Sequence, residues 1–350
     1  MAETTVPVPP TSWPQPAGVA WPTESWPEGE ATDEVVDLVD RAFEDPELDE
    51  TYAVVVVQHG RMVAERYGGA LPSFTHAPTP VSAATPLLSW SIAKSVLHAA
   101  VGILVGQGRL DLDAPAPIGA WPDPDDPRRA ITLRQLLQMR DGLGWNEDYD
   151  DATVSDVIEM LFGSGKDDVV AYAAARELVH SPGTTFNYSS GTSNLVASMV
   201  GDVVGHGEDT ARFLTDSLFA PLGMHDATIR WDLAGTFVGS SYVYCSARSF
   251  AKFATLYLRG GIWEGARLLD ESWVSGVHVP VSEDTTVPNT YYSSHWWLDA
   301  KGTFWASGYH GQRLLVCPAN DCVVVRLGDT QAAGYPALRA WCDAMVDSLG

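Results

Sequence analysis

Ser91 and Lys94 stand three residues apart at the head of an apolar run, and together they can do chemistry that neither can do alone. A serine hydroxyl becomes a nucleophile when a base takes its proton. A lysine can be that base where apolar surroundings bring its pKa towards neutrality. The run is PLLSWSIAKSVLHAAVGILVGQG, residues 86–108. Within it Ile92, Val96, Leu97, Ala100, Val101, Ile103 and Leu104 recur at helical spacing, and Gly108 stands where a helix would stop. The spacing predicts a mostly buried helix with Ser91 and Lys94 on one face of its first turn, near the positive end of its dipole. Ser-x-x-Lys by itself also describes a surface serine and a solvated lysine. Against that stand the apolar flanks and the scarcity of lysine, which occurs elsewhere only at 166, 252 and 301.

A second proton carrier and an oxyanion site are needed. In SPGTTFNYSSGTSNLV, Ser181, Pro182 and Gly183 force a turn, and a helix resumes over Ser189–Val200, placing Tyr188 at its entrance. Beside a lysine cation a phenol becomes more acidic, and such a pair can shuttle a proton. In FWASGYHGQRLL, Gly308 and Gly311 let backbone approach a ligand within a strand-like stretch. Main-chain N–H groups there could face a developing oxyanion. Expected substrate contacts are Tyr149 and Trp145 in an acidic loop, Ser190 and Gly308 within the two stretches above, His310, Gln312 and Tyr244. Each has a plainer reading: aromatic residues that anchor a loop, a histidine that ends a strand, a glutamine that pairs with its neighbour.

Taken in order, Ser91-Ile92-Ala93-Lys94, Tyr188-Ser189-Ser190 and Ala306-Ser307-Gly308 resemble the Ser-x-x-Lys, Tyr-x-Asn and Lys-Thr-Gly motifs of the serine β-lactamase and penicillin-recognising superfamily. GRLDLDAP, GLGWNEDY and SARSFAKFATLYLRGG add to a similarity closest to the class C-like branch, which includes esterases, D-amino-acid peptidases and 6-aminohexanoate-dimer hydrolases. The resemblance spans roughly residues 30–345. It implies an acyl-serine mechanism in which Ser91 attacks, Lys94 and Tyr188 handle the proton, and the amides of Ser91 and Tyr309 hold the oxyanion. It implies no cofactor and no metal. Ser190 replaces the motif's Asn, and Ala306 replaces the Lys that would help bind a β-lactam carboxylate, so an ester or small linear amide is the expected substrate. An acyltransferase and a sensor that traps its acyl group are the alternatives.

The elements that must position these groups can be read along the chain. A Pro- and Trp-rich arm occupies residues 1–30. An amphipathic helix over Asp33–Phe43 follows, then two strands joined at His59 and Gly60. Thr132 caps a short helix, helical patterns dominate 152–220, and further helices stand near 246–259 and 270–278. Short β-rich runs fill the last quarter before a closing helix over Tyr335–Leu349. Strands at both ends with helices between predict an α/β (α+β) fold, in which an antiparallel sheet from both termini is flanked by helices and carries an inserted, mainly helical domain. By the resemblance this is a β-lactamase/transpeptidase-like fold. The expected division is 31–110 with 240–350 as the sheet domain and 111–239 as the helical one, the active site lying between them.

A formal charge of −24 excludes nucleic acid and anionic membrane as partners, since both demand clustered cations. The nine histidines form no ligand pair, and the four cysteines are too sparse for a disulfide framework; Cys317 and Cys322 bracket a probable hairpin turn. The start of the sequence has neither the basic residues nor the apolar run of a secretory signal. A cytoplasmic protein acting on a small ester or amide is expected, with a homodimer left open.

Overall fold

The computed structural model describes residues 13–72 and 77–350. Its main sheet is built where the sequence is most continuously apolar. Chain order gives β1 (Glu50–Gln58), β2 (Arg61–Tyr67), β3 (Ala70–Leu71), β4 (Thr79–Pro80) and β5 (Leu87–Leu88). After the helical stretch come β6 (Thr228–Ile229), β7 (Val243–Cys245), β8 (Ile262–Trp263), β9 (Ala266–Arg267) and β10 (Ser282–Glu283). The series closes with β11 (Thr290–Tyr292), β12 (Trp297–Asp299), β13 (Phe304–Gly308), β14 (Gln312–Cys317) and β15 (Cys322–Asp329). Eight of these form one sheet in the order β10-β11-β12-β13-β14-β15-β1-β2. The C-terminal meander therefore meets the N-terminal hairpin, and Glu50 pairs with Asp329.

The helices are α1 (Asp33–Glu44), α2 (Ala93–Gly106), α3 (Leu133–Leu137), α4 (Asp156–Phe162) and α5 (Val169–Ala174). Then follow α6 (Ser190–Val204), α7 (Glu208–Leu214), α8 (Ala247–Leu258), α9 (Glu271–Gly276) and α10 (Tyr335–Ser348). β1 reads as unbroken valine because both faces of the sheet are covered. Val54 and Val56 pack with Val35, Val39, Leu338, Trp341 and Met345 from α1 and α10. Val55 and Val57 join the larger core on the opposite face, with Ile92, Val96, Leu97, Phe250 and Ala254. The β1–β2 turn is tight because His59 and Gly60 both take left-handed backbone angles, φ 51° and 73°.

Small elements bring the catalytic segments to the sheet. β5, β7 and β6 make a three-stranded sheet whose first strand leads straight into Ser89. The described part of the arm docks as its tryptophans suggest. Trp13, Trp21 and Trp26 lie against the main core, Trp21 and Trp263 ring centroids are 5.0 Å apart, and Lys252 Nζ donates to Thr23 O at 2.9 Å. Residues 1–12 of the arm lie outside the described residues. All four cysteines are buried free thiols; Cys317 and Cys322 face each other across the β14–β15 hairpin. Among the described residues no helix is long and apolar enough to cross a membrane.

Candidate active site

The expected helix over Ser91–Gly108 begins later than its periodicity suggests. Residues Trp90–Ile92 form a 3-10 turn, and α2 starts at Ala93. Trp90 has φ 46°, a left-handed conformation that costs a bulky residue strain energy and commonly marks a functional turn. Its indole packs edge-on against Tyr309 at 5.5 Å. As the second residue of a helical turn, Ser91 has no intrahelical acceptor for its amide, and Tyr309, first residue of the 3-10 turn Tyr309–Gly311, is in the same position. β13 delivers Tyr309 to the nucleophile turn through Gly308. A β-carbon there would lie 2.4 Å from the Ser89 carbonyl, so only glycine permits the approach.

Lys94 is 2% exposed, and its amine is fully engaged. Nζ lies 2.9 Å from Ser91 Oγ, 3.0 Å from Ser190 Oγ and 3.0 Å from Ser240 O. Burial brings its pKa down to about 8, against a smaller upward pull from the Glu147 carboxylate. At pH 7 roughly one molecule in ten then carries the neutral amine that can take a proton from serine. The same amine lies over the Tyr188 ring, 4.9 Å from its centroid.

Tyr188 precedes Ser189, whose side chain caps α6 through the Thr192 amide. Its phenol and that of Tyr149 are both near enough to Ser91 for the serine to lower their pKa values slightly. The expected acidification of Tyr188 by the lysine is corrected here. Burial and the Glu147 charge raise its pKa, outweighing the lowering influence of Ser91, so the phenol keeps its proton at neutral pH. Stacking on Trp297 at 5.6 Å and edge contact with Tyr292 at 5.8 Å fix the ring.

Glu147 organises the second layer and was hidden in sequence within an acidic loop. It accepts hydrogen bonds from the Ser190 amide (2.8 Å), Ser190 Oγ (2.5 Å), Trp145 Nε1 (2.5 Å) and Tyr149 OH (2.7 Å). Ser190, in the motif's Asn position, thus accepts a hydrogen bond from Lys94 and donates one to Glu147. Sequence reasoning also missed His295. Its ring bonds the Lys94 carbonyl at 3.0 Å and meets Ser193 Oγ at 3.3 Å, while Ser95 Oγ donates to its carbonyl at 2.8 Å. Burial, with the neighbouring lysine charge, lowers its pKa to about 3, so it is a neutral brace at working pH.

Beside Ser91 opens a cleft walled by Trp90, Tyr149, Ser190, Ser241 and Tyr309 on one side and by α4 on the other. Tyr149 stacks on Tyr309 at 4.9 Å. Other expected substrate contacts are placed differently. Gln312 is 4% exposed, and its amide bonds the carbonyls of Tyr309, His310 and Gly328 and the Gly328 amide, so it braces the Tyr309–Gly311 turn from inside. Tyr244 sits in β7 with Arg230 over its ring at 5.9 Å. Trp145 supports Glu147 and packs on Gly191. For Gln312, substrate contact is corrected to a structural role, since its amide is committed inside the protein; Trp145 and Tyr244 are half-buried and are not among the residues lining the cleft. His310 pairs with Asp329 at 2.5 Å.

Residues 41–340 match the sequence profile of the beta-lactamase family. A 6-aminohexanoate-dimer hydrolase of Paenarthrobacter ureafaciens is 29% identical over 301 residues, 79% of this chain and 72% of that one. Esterase EstB of Burkholderia gladioli is 29% identical over 186 residues, 49% of this chain, and the match spans less than half of that protein's length, 45%. Among solved structures, EstCE1, a hydrolase with promiscuous acyltransferase activity, superposes with a TM-score of 0.71 at 16% identity, covering 89% of this chain and 97% of that one.

Proposed function

The chain belongs to the beta-lactamase family, and from that premise we propose that it is a serine hydrolase cleaving carboxylic esters or small linear amides through an acyl-serine intermediate. The observation that carries this reading is the contact of 2.9 Å between Ser91 Oγ and a buried lysine whose pKa is brought down to about 8. Neutral Lys94 takes the Ser91 proton as Oγ attacks the carbonyl carbon. The oxyanion forms between the amides of Ser91 and Tyr309. Its collapse breaks the bond to the leaving group, which departs with a proton supplied through the Tyr188 phenol. Water, deprotonated by the same groups, then attacks the acyl-serine and restores the free enzyme. The two homologues named for an amide hydrolase and an esterase support this class of substrate.

The reading is tested by turnover of a p-nitrophenyl ester, a 6-aminohexanoate dimer and a chromogenic cephalosporin. Cleavage of the ester or the linear amide with little action on the cephalosporin is the expected result. A single stoichiometric burst without turnover would instead identify a protein that traps its acyl group. The pH profile supplies an independent check. Protonated Lys94 cannot accept the serine proton, so kcat/KM rises with pH and levels off above about 8, where the amine is neutral. Glu147→Gln removes the charge that favours the ammonium form, so the rising limb moves to lower pH. A limb that stays in place in that variant would show that Lys94 does not feel the carboxylate.

A further inference from the structure

Helix α4 forms a wall of the cleft beside Ser91, and what it selects rests on the serine-hydrolase reading above. On this helix Val157 and Leu161 form one row and Ile158 and Phe162 the next, four residues apart in each case. Both rows line the cleft beside Ser91, whose volume is about 240 Å³. Val157 and Leu161 are buried and belong to a small core with Met160, Val169 and Val238, which makes the wall rigid. Ile158 is half-buried, and Phe162 is 57% exposed at the outer end.

The charge pattern is equally selective. Among the described residues lining the cleft none is Lys, Arg or His. Lys94 has all three of its contacts inside the protein, and His310 is held by Asp329. Asp150 and Asp151 are exposed in the same loop as Tyr149, and Asp150 is near enough to Tyr309 to help raise the pKa of its phenol. A substrate carboxylate would meet negative charge at the mouth and find no cation within. Apolar walls, absent cations and an acidic mouth select against an anionic chain.

Which half of the substrate enters follows from the proton path. The leaving group must face Tyr188, which is not among the residues lining the cleft. The half retained on Ser91 therefore occupies it. We propose that the α4 cleft is the acyl subsite, that it takes an unbranched acyl chain free of a carboxylate, on the order of six to eight carbons, and that Ile158 sets the accepted length. Scaled from the six-carbon ring that fits an apolar cavity of about 150 Å³, the cleft of about 240 Å³ would hold about ten heavy atoms, and the reacting carboxyl group beside Ser91 takes two or three of those places.

The test is a ladder of p-nitrophenyl esters from acetyl to dodecanoyl with purified full-length protein, alongside hexanoyl esters of alcohols of increasing length and the p-nitrophenyl monoester of adipic acid. For the wild type, kcat/KM is expected to climb to an optimum near hexanoyl or octanoyl and then fall. The adipoyl monoester, of the same length with a terminal carboxylate, should be about 100-fold poorer than the hexanoyl ester. Ile158→Phe should cut the hexanoyl-to-acetyl ratio by about 10-fold, and Ile158→Ala should move the optimum to longer chains. Equal use of adipoyl and hexanoyl esters, or ladders unchanged in both variants, would overturn the proposal. So would a response of the variants to alcohol length and not to acyl length, which would assign the cleft to the leaving group while leaving the hydrolase reading intact. If no neutral ester or amide is turned over, or if hydrolysis survives Ser91→Ala, the hydrolase reading fails, and the subsite with it.

Discussion

Ser91→Ala is expected to fold as the wild type does and to lose about 10⁴-fold or more in kcat, the scale seen when an activated serine is removed. Oγ is half-exposed in the cleft, so its deletion leaves no buried cavity, and the thermal midpoint should barely move. Lys94→Met should lose a comparable factor, because the thioether fills the buried site of the amine but cannot take the proton. The two losses are not independent. A hydroxyl without its base and a base without its hydroxyl are equally idle, so the double variant should be no slower than the slower single one. Steady-state rates of the three proteins on one p-nitrophenyl ester decide the matter. A Lys94→Met enzyme within about tenfold of wild type would mean that some other group activates Ser91.

Tyr188→Phe is expected to lower kcat by about 10²–10³-fold on an amide substrate with little change in KM. Phenylalanine keeps the stack on Trp297 and the edge contact with Tyr292, so only the hydroxyl is lost. The phenol is held protonated by burial, so its natural role is to hand a proton to the departing group. An amine needs that proton; p-nitrophenolate does not. The loss should accordingly be much smaller on p-nitrophenyl esters than on linear amides. Equal losses on both would place Tyr188 in serine activation and not in leaving-group protonation.

Much of this arrangement is legible in the linear sequence because its determinants are local. The valines of β1, the His59-Gly60 turn, the spacing of Ser91 and Lys94 and the break before Tyr188 each involve residues a few positions apart. What was not legible depends on distant partners. Glu147 is one acid among several in its loop, and only the fold brings it to Ser190, 43 residues further on. Trp90 is the wrong kind of residue to announce a left-handed backbone, since neither its bulk nor its neighbours hint at φ 46°. The acidity of Tyr188 went astray for a physical reason: burial of the phenol and the charge of Glu147, a residue distant in sequence, raise its pKa, and neither is visible beside Tyr188 in the linear chain. Gln312 looked like a ligand contact because its sequence position is beside the oxyanion turn, yet its side chain points into the protein and closes on Gly328.

The junction of β1 with β15 constrains how the enzyme comes into being. Glu50 must wait for Asp329, so a chain emerging from the ribosome cannot close its central sheet until nearly all of it has been made. Such high contact order makes folding slow and leaves the valine-rich β1–β2 hairpin with an unpaired edge in the interim. The Tyr309–Gly311 turn lies between β13 and β14, late in the same meander. Nascent or C-terminally shortened chains would thus possess Ser91 and Lys94 without the Tyr309 turn that the full fold sets beside them, and their exposed edge makes them clients for chaperones or proteases before the cleft is complete.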